Sequence, residues 1–179
     1  MMTRRFRFLP LIGGLLALVV ANSVAIAGGG QSSLAATRQA TVRYHEVNNA
    51  GPAGYGLFYL CTDNEALGGA MGQHFADVSR VLDPTISAVD PEVLVYEPTR
   101  SGGYKLVAVE WVVFQADWDA LHSSPPTLFG QTFEPLGALN RYGLPPFYEL
   151  HAWIWKGNPW GLFNDWNPNV SCLGNGDPA

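Results

Sequence analysis

The stretch YKLVAVEWVVF at residues 104–114 decides the fold, because its β-branched and aromatic side chains predict a long, buried strand. The stretch PEVLVYEP at 91–98 is also rich in strand formers and is bounded by prolines. Between them, TRSGG at 99–103 has the length and composition of a hairpin turn. The sequence therefore predicts an antiparallel hairpin in the centre of the protein.

Other elements extend this hairpin on both sides. FYELHAWIW at 147–155 predicts a third strand, 72–78 and 56–60 predict weaker strands, and ADWDALH at 116–122 predicts a short helix. A longer helix is expected from Ser33, with Ser32 or Ser33 as its N-cap, and its apolar stripe consists of Ala36, Ala40, Tyr44 and Val47. A helix followed by strands in hairpin order predicts an α+β fold with a mainly antiparallel sheet, either sandwich or barrel-like.

Residues 1–27 have the features of a cleavable export signal. Basic residues at the start are followed by an apolar run over 9–21 and by the pattern Ala25-Ile26-Ala27, which predicts cleavage after Ala27. The apolar run is shorter than the ~20 residues of a membrane span, although an uncleaved anchor is the alternative. We expect a flexible linker at 28–33 and one globular domain over 34–179, secreted or periplasmic, with no membrane span after cleavage.

Removal of the leader changes the charge of the protein. The 179-residue chain has a formal charge of −5, and the mature chain keeps seven Lys and Arg against all 15 Asp and Glu, giving −8. This charge excludes a basic nucleic-acid-binding protein and gives no attraction to an anionic membrane surface. A small molecule or a glycan is the expected partner, and the oligomeric state stays open.

Cys61 and Cys172 are the two cysteines of the chain. In an oxidising compartment an isolated pair most simply forms a disulfide, and no C-x-x-C motif favours a metal or redox role. The bridge would close a loop of 111 residues, which chain-entropy models value at about 4 to 5 kcal/mol.

Two glutamates fall on apolar strand faces. Glu97 alternates in phase with Val93 and Val95, and Glu110 shares its side with Leu106, Ala108, Val112 and Phe114. Burial of an unpaired carboxylate costs several kcal/mol, so each needs a partner or a raised pKa. The small number of cations in the mature chain favours a histidine, a shared proton or a metal ion as that partner.

Two histidines lie on predicted strands and complete a candidate metal site. His151 shares a face with Glu149, Trp153 and Trp155, and His74 ends the glycine-rich stretch GGAMGQHF. His74, Glu97, Glu110 and His151 could together hold a divalent transition metal such as zinc, manganese, iron or copper. Two alternatives stay open: hydrogen-bonded core pairs, or Glu97 and Glu110 as a catalytic acid and base, as in glycoside hydrolysis.

Several stretches resemble a family of exported, mostly bacterial, hypothetical proteins. They are GAMGQHF (69–75), LVYEPT (94–99), VAVEWVV (107–113), DWDALHSSPPTLFGQTF (117–133) and LHAWIWKGNPWGLFNDWNPNVSC (150–172). The chain departs from the family pattern at Phe75 and Trp111, where a tyrosine is usual. The resemblance implies export and a shared framework, but no established reaction.

A cluster of tryptophans marks the C-terminal part of the chain: Trp153, Trp155, Trp160 and Trp166. Aromatic side chains accompanied by Asn, Asp and Gly are typical of sugar-binding surfaces, because an indole face packs against pyranose C–H groups. The alternative function is thus a non-catalytic domain that binds a glycan or an apolar small molecule. The same rings are equally expected in a second small core, since tryptophan is highly buried on average.

Overall fold

An antiparallel sheet built around the predicted hairpin dominates the structure. The computed structural model describes residues 25–64, 68–173 and 176–177. The helices are α1 (Ala25–Thr41), α2 (Val78–Val81) and α3 (Gln115–Asp119), and 3-10 turns follow α1 at Val42–His45, Val47–Asn49 and Gly51–Ala53. The strands are β1 (Gly56–Asn64), β2 (Gly69–Ala76), β3 (Val93–Pro98), β4 (Tyr104–Phe114), β5 (Thr127–Leu128), β6 (Gln131–Thr132), β7 (Glu134–Leu136), β8 (Phe147–Ala152) and β9 (Gly176–Asp177).

In these described ranges, seven strands form one sheet in the order β7-β8-β4-β3-β2-β1-β9. The first six are antiparallel to their neighbours and curl into a half-barrel, whereas β9 runs parallel to β1. β5 and β6 form a separate two-stranded ribbon. The predicted α+β fold with a mainly antiparallel sheet is confirmed.

The two faces of the sheet contribute to different apolar clusters. The helix-side face carries residues such as Leu94, Trp111 and Leu150 and packs against Leu34 and Tyr44 of the N-terminal region. The opposite face, here called the site face, carries Val93, Val95, Ala108, Val112 and Phe147. Because both faces are covered, β4 is apolar on both sides.

A β-bulge between β3 and β4 changes the predicted phase of one residue. Val95 pairs with Ala108 and the next residue, Tyr96, pairs with Leu106, so Val107 is the extra residue. Leu106 therefore packs in the helix-side cluster, and its predicted place on the side of Glu110 is wrong. A bulge puts two residues of one strand opposite one of the other and interrupts the alternation of side chains.

The N-terminal helix and the 3-10 turn after it bury a stripe that agrees with the predicted one at Tyr44 and differs from it elsewhere. Leu34, Thr37, Thr41 and Tyr44 are buried, whereas Ala36 is exposed. The two threonines tolerate burial because their hydroxyls donate to carbonyls, Thr41 Oγ1 to Thr37 O at 2.8 Å and Thr37 Oγ1 to Ala88 O at 2.7 Å. A search for periodic apolar residues does not detect this stripe, because two of its buried members are threonines whose hydroxyl groups are hydrogen-bonded.

The beginning of α1 also differs from the expected boundaries. The helix includes residues 28–33, for which the composition predicts a flexible linker, and Ser32 and Ser33 lie inside it rather than at an N-cap. The predicted cleavage point after Ala27 falls in the same helix, and residues 1–24 of the predicted signal lie outside the described residues. Cleavage and export stay predictions.

The predicted disulfide joins Cys61 in β1 to Cys172, with the two Cα atoms 5.7 Å apart. It ties the C-terminal segment to the edge of the sheet beside β9. A disulfide fits a chain that folds in an oxidising compartment. None of the helices within the described ranges is long and apolar enough to cross a membrane.

Candidate metal centre

Three strands direct histidine and glutamate side chains to the site face. Glu110 of β4 lies directly opposite His151 of β8. His74 of β2 pairs with Val95 of β3, which in turn pairs with Ala108 of β4. His74 reaches across β3 toward Glu110 on β4.

These three side chains come close enough to share one ion. One donor atom from each of His74, Glu110 and His151 lies within 4.8 Å of the other two. His74 Nε2 is 3.6 Å from Glu110 Oε2, and the two imidazole ring centres are 6.5 Å apart. The residues are between 1% and 4% exposed, so solvent has little access to the group.

The imidazole nitrogens of this group are unpaired. Within the part of the chain that the structure describes, neither Nδ1 nor Nε2 of His74 or His151 makes a hydrogen bond. A buried polar atom without a partner costs about 1–3 kcal/mol, and native proteins rarely leave several together. The nitrogens of His74 have the Gly72 carbonyl and Glu110 Oε2 as neighbours, whereas those of His151 have no partner and could bind a metal ion or an ordered water molecule.

Burial holds both imidazoles in the neutral form that binds metals. The pKa of His74 is lowered to about 4 by burial, an effect that the Gly72 carbonyl opposes and the charge of Arg141 reinforces. The pKa of His151 is lowered well below its usual value by burial and then by His74. At neutral pH each ring therefore offers a nitrogen lone pair.

A second buried glutamate lies against the first. Glu149 is 4% exposed and precedes His151 by two residues, so both lie on the same face of β8. Burial raises its pKa well above the usual range, and the neighbouring charge of Glu110 raises it further. Burial also raises the pKa of Glu110 to about 7, against the effect of a hydrogen bond from Glu149. Protonated Glu149 donates a hydrogen bond to the carboxylate form of Glu110, and both carboxyl groups have a raised pKa.

Glu149 is the site residue that the sequence-based selection omits. The alternation of β8 already places it on the face of His151, and this spacing of two residues is the signal that identifies it. Two further acidic residues, Asp165 and Glu134, lie close enough to act on Glu149 electrostatically. Burial and the charge of Glu134 raise the pKa of Asp165 to about 6. The acidic surroundings favour a bound cation over an anion.

A cavity of about 140 Å³ adjoins the site on the same face of the sheet. His74, Glu110 and Glu149 supply its polar lining, whereas His151 is not part of its wall. Apolar side chains from the sheet and from α2 supply the remainder. His74 and Glu110 of the clustered group therefore border the cavity, although both nitrogens of His74 are fully buried.

Glu97 does not belong to this group. It lies near the hairpin end of β3, where it pairs with Lys105, while the residue opposite Glu110 is Val93. Four residues of strand separate the two positions, which corresponds to about 13 Å along β3. Lys156 Nζ lies 2.8 Å and 2.7 Å from the two Glu97 carboxylate oxygens. The predicted placement of Glu97 among the metal ligands, and as the catalytic partner of Glu110, is therefore wrong.

The four tryptophans do not form a common surface. Trp153 is 3% exposed, packs on the His151 ring at 4.5 Å and donates from Nε1 to the Asn164 carbonyl. Trp155 lies against His45 at 4.4 Å on the helix side, because β8 ends at Ala152 and the alternation stops there.

The other two tryptophans also lie outside the cavity. Trp160 is 46% exposed, and Trp166 is half-buried with the Arg141 guanidinium 5.5 Å from its ring centre. None of the four contributes to the cavity wall, so the expectation of a tryptophan-lined mouth is wrong.

Comparisons with protein-family models, with curated proteins and with solved structures find no match for this chain. The case for a function accordingly depends on the chemistry of the site itself.

Proposed function

We propose that the protein is an extracytoplasmic metal-binding protein in which His74, Glu110 and His151 bind one divalent transition-metal ion. The observation that carries the proposal is the convergence of one donor atom from each of these residues within 4.8 Å, in a buried group where neither nitrogen of His151 has a hydrogen-bond partner. A metal ion accepts a lone pair from each ring, and the carboxylate of Glu110 offsets part of its charge.

The donor set is typical of sites that keep coordination positions open. Two histidines and one carboxylate occur in catalytic zinc sites and in non-haem iron sites, whereas structural zinc sites have four protein ligands. A bound metal ion supplies Lewis acidity in such a site. Glu149, next to Glu110, is placed to exchange a proton with a molecule in the cavity.

Metal analysis of the purified protein tests the proposal directly. The protein is stripped with a chelator, dialysed, incubated separately with zinc, manganese, iron(II) or copper(II), and analysed for bound metal and for melting temperature. We expect one equivalent of at least one metal. At a free concentration of 100 times its Kd, the ion contributes about 2.7 kcal/mol, which corresponds to a melting temperature about 8 °C higher.

His151→Ala and His122→Ala form a matched pair for this experiment. His122 is exposed, stacks on Trp118 with ring centres 3.8 Å apart and is not one of the clustered donors, so its variant should bind metal normally. His151→Ala should lose the bound metal and the thermal shift. A wild-type protein that binds no metal and shows no shift with any of the four ions would refute the proposal, whatever the variants do.

A further inference from the structure

The cavity beside the histidines has the size of a small organic molecule. Its volume of about 140 Å³ is close to that of engineered apolar cavities of about 150 Å³, which stay dry and bind benzene. Eleven of its fourteen lining residues are aliphatic or aromatic. Such walls give water few hydrogen-bond partners, so an apolar occupant displaces it at little cost.

The cavity opens to solvent beside α2. Val78 and Leu82 belong to its wall, yet 63% and 61% of their surfaces are exposed, so they form part of its rim. Half-buried Val81 lies between them and also lines the cavity. Exposed apolar side chains at the edge of a cavity extend the surface that an entering apolar molecule can cover.

Polar contacts hold α2 in this position without the help of a ligand. The Asp77 carboxylate caps the helix by accepting from Ser79 N at 3.0 Å, and Arg80 pairs with Asp77 and with Asp90, each at 3.0 Å. The rim is thus preformed, which lowers the entropy that binding must overcome.

The lining is almost wholly apolar: both nitrogens of His74 are fully buried, and the carboxyl groups of Glu110 and Glu149 border the cavity at one end. An occupant with a single polar atom can direct it to these groups while its apolar body fills the remaining volume. A purely apolar molecule of the same size leaves them without that contact.

We propose that this cavity is a binding site for a small molecule with an apolar body of about one ring and a single uncharged polar end. The walls are formed by the protein alone, so binding does not require a metal ion.

Titration with p-cresol and toluene, with and without zinc, tests this inference on the purified protein. We expect p-cresol to bind with a Kd of about 1 mM or tighter, and toluene, which lacks the hydroxyl, to bind at least threefold more weakly. In wild-type protein with labelled methyl groups, nuclear Overhauser effects from the p-cresol ring should reach Val78, Val81, Val93 and Val112. This localisation needs no variant.

Val81→Phe fills the cavity from α2 without replacing a proposed metal ligand, and Val42→Phe is its control at an exposed position outside the cavity. Val81→Phe should weaken p-cresol binding at least tenfold and leave zinc binding unchanged, while Val42→Phe should change neither.

Three results would overturn the binding site. They are no p-cresol binding to the wild type, nuclear Overhauser effects from p-cresol to residues outside the cavity, and unchanged p-cresol binding by a folded Val81→Phe variant. Equal affinity of the protein for toluene and p-cresol would contradict the proposal that the ligand has a polar end. Binding of p-cresol by a protein that takes up no zinc would leave this inference standing and count only against a zinc centre.

Discussion

Replacing His151 by leucine should stabilise the metal-free protein and destabilise it relative to wild type once metal is present. Leucine has nearly the same volume as histidine and no polar atoms. The variant therefore keeps the packing against Trp153 and removes two of the four unpaired nitrogens. It also removes one of the proposed metal ligands.

The magnitude follows from the burial of the ring. His151 is 1% exposed, and each unpaired nitrogen costs at least about 1 kcal/mol, so His151→Leu should gain about 2 kcal/mol in the absence of metal. Imperfect packing of the new side chain offsets less than about 1.5 kcal/mol of this gain. Metal at 100 times its Kd contributes about 2.7 kcal/mol to the wild type and nothing to the variant, so the order of stability reverses.

Equilibrium unfolding in urea, followed by tryptophan fluorescence, measures both states. Each protein is unfolded once with chelator and once with saturating metal, with the disulfide intact throughout. His122→Leu is the control, because its exposed ring binds no metal in our proposal and its free energy of unfolding should respond to metal as the wild type does.

The reasoning fails if His151→Leu is more than about 1 kcal/mol less stable than wild type in chelator. The ring nitrogens would then be stabilised by ordered water or by local rearrangement, and the observation that supports a metal would lose its force. A stability order that is the same with and without metal would contradict the assignment of His151 as a ligand.

Two further substitutions test other parts of the structure. Glu92 is 2% exposed and accepts from Val112 N at 3.2 Å, and burial raises its pKa to about 8. Because this carboxyl titrates near 4.5 when unfolded, its contribution to stability is greatest below pH 4.5 and is lost as the pH rises through 8. Glu92→Gln should therefore gain on the wild type between pH 5 and 8.5 by at most about 4 to 5 kcal/mol in urea unfolding, and a pH-independent difference would refute this. Glu97→Gln should leave metal binding unchanged and cost about 1 kcal/mol or less through the lost pair with Lys156, whereas loss of metal would restore Glu97 to the site.

The sequence predicts the elements of the sheet well because its strands carry strong local signals. The hairpin of β3 and β4 combines β-branched residues with a glycine-containing turn, and its bounds agree closely with the structure. The bulge at Val107 has no such signal. Its position depends on how two strands pair, and single-strand alternation contains no information on pairing.

The candidate site shows the same division between local and long-range information. Alternation identifies the face of each glutamate, which is why Glu110 and His151 could be selected. Alternation does not show which residues of two strands lie opposite each other. It therefore groups Glu97 with Glu110, although Glu97 lies four positions along β3 from the residue opposite Glu110. Alternation is sufficient to identify Glu149, because its spacing of two residues from His151 places both side chains on the same face of β8.

The spacing of the three clustered donors along the chain has a consequence for metal selection. Thirty-six residues separate His74 from Glu110 and forty-one separate Glu110 from His151, so an unfolded chain does not hold them together. Metal uptake must then accompany or follow formation of the sheet. If the proposed site binds an ion and the chain is exported as predicted, that ion is determined by the metals available in the compartment where the chain folds, and not by those where it is synthesised.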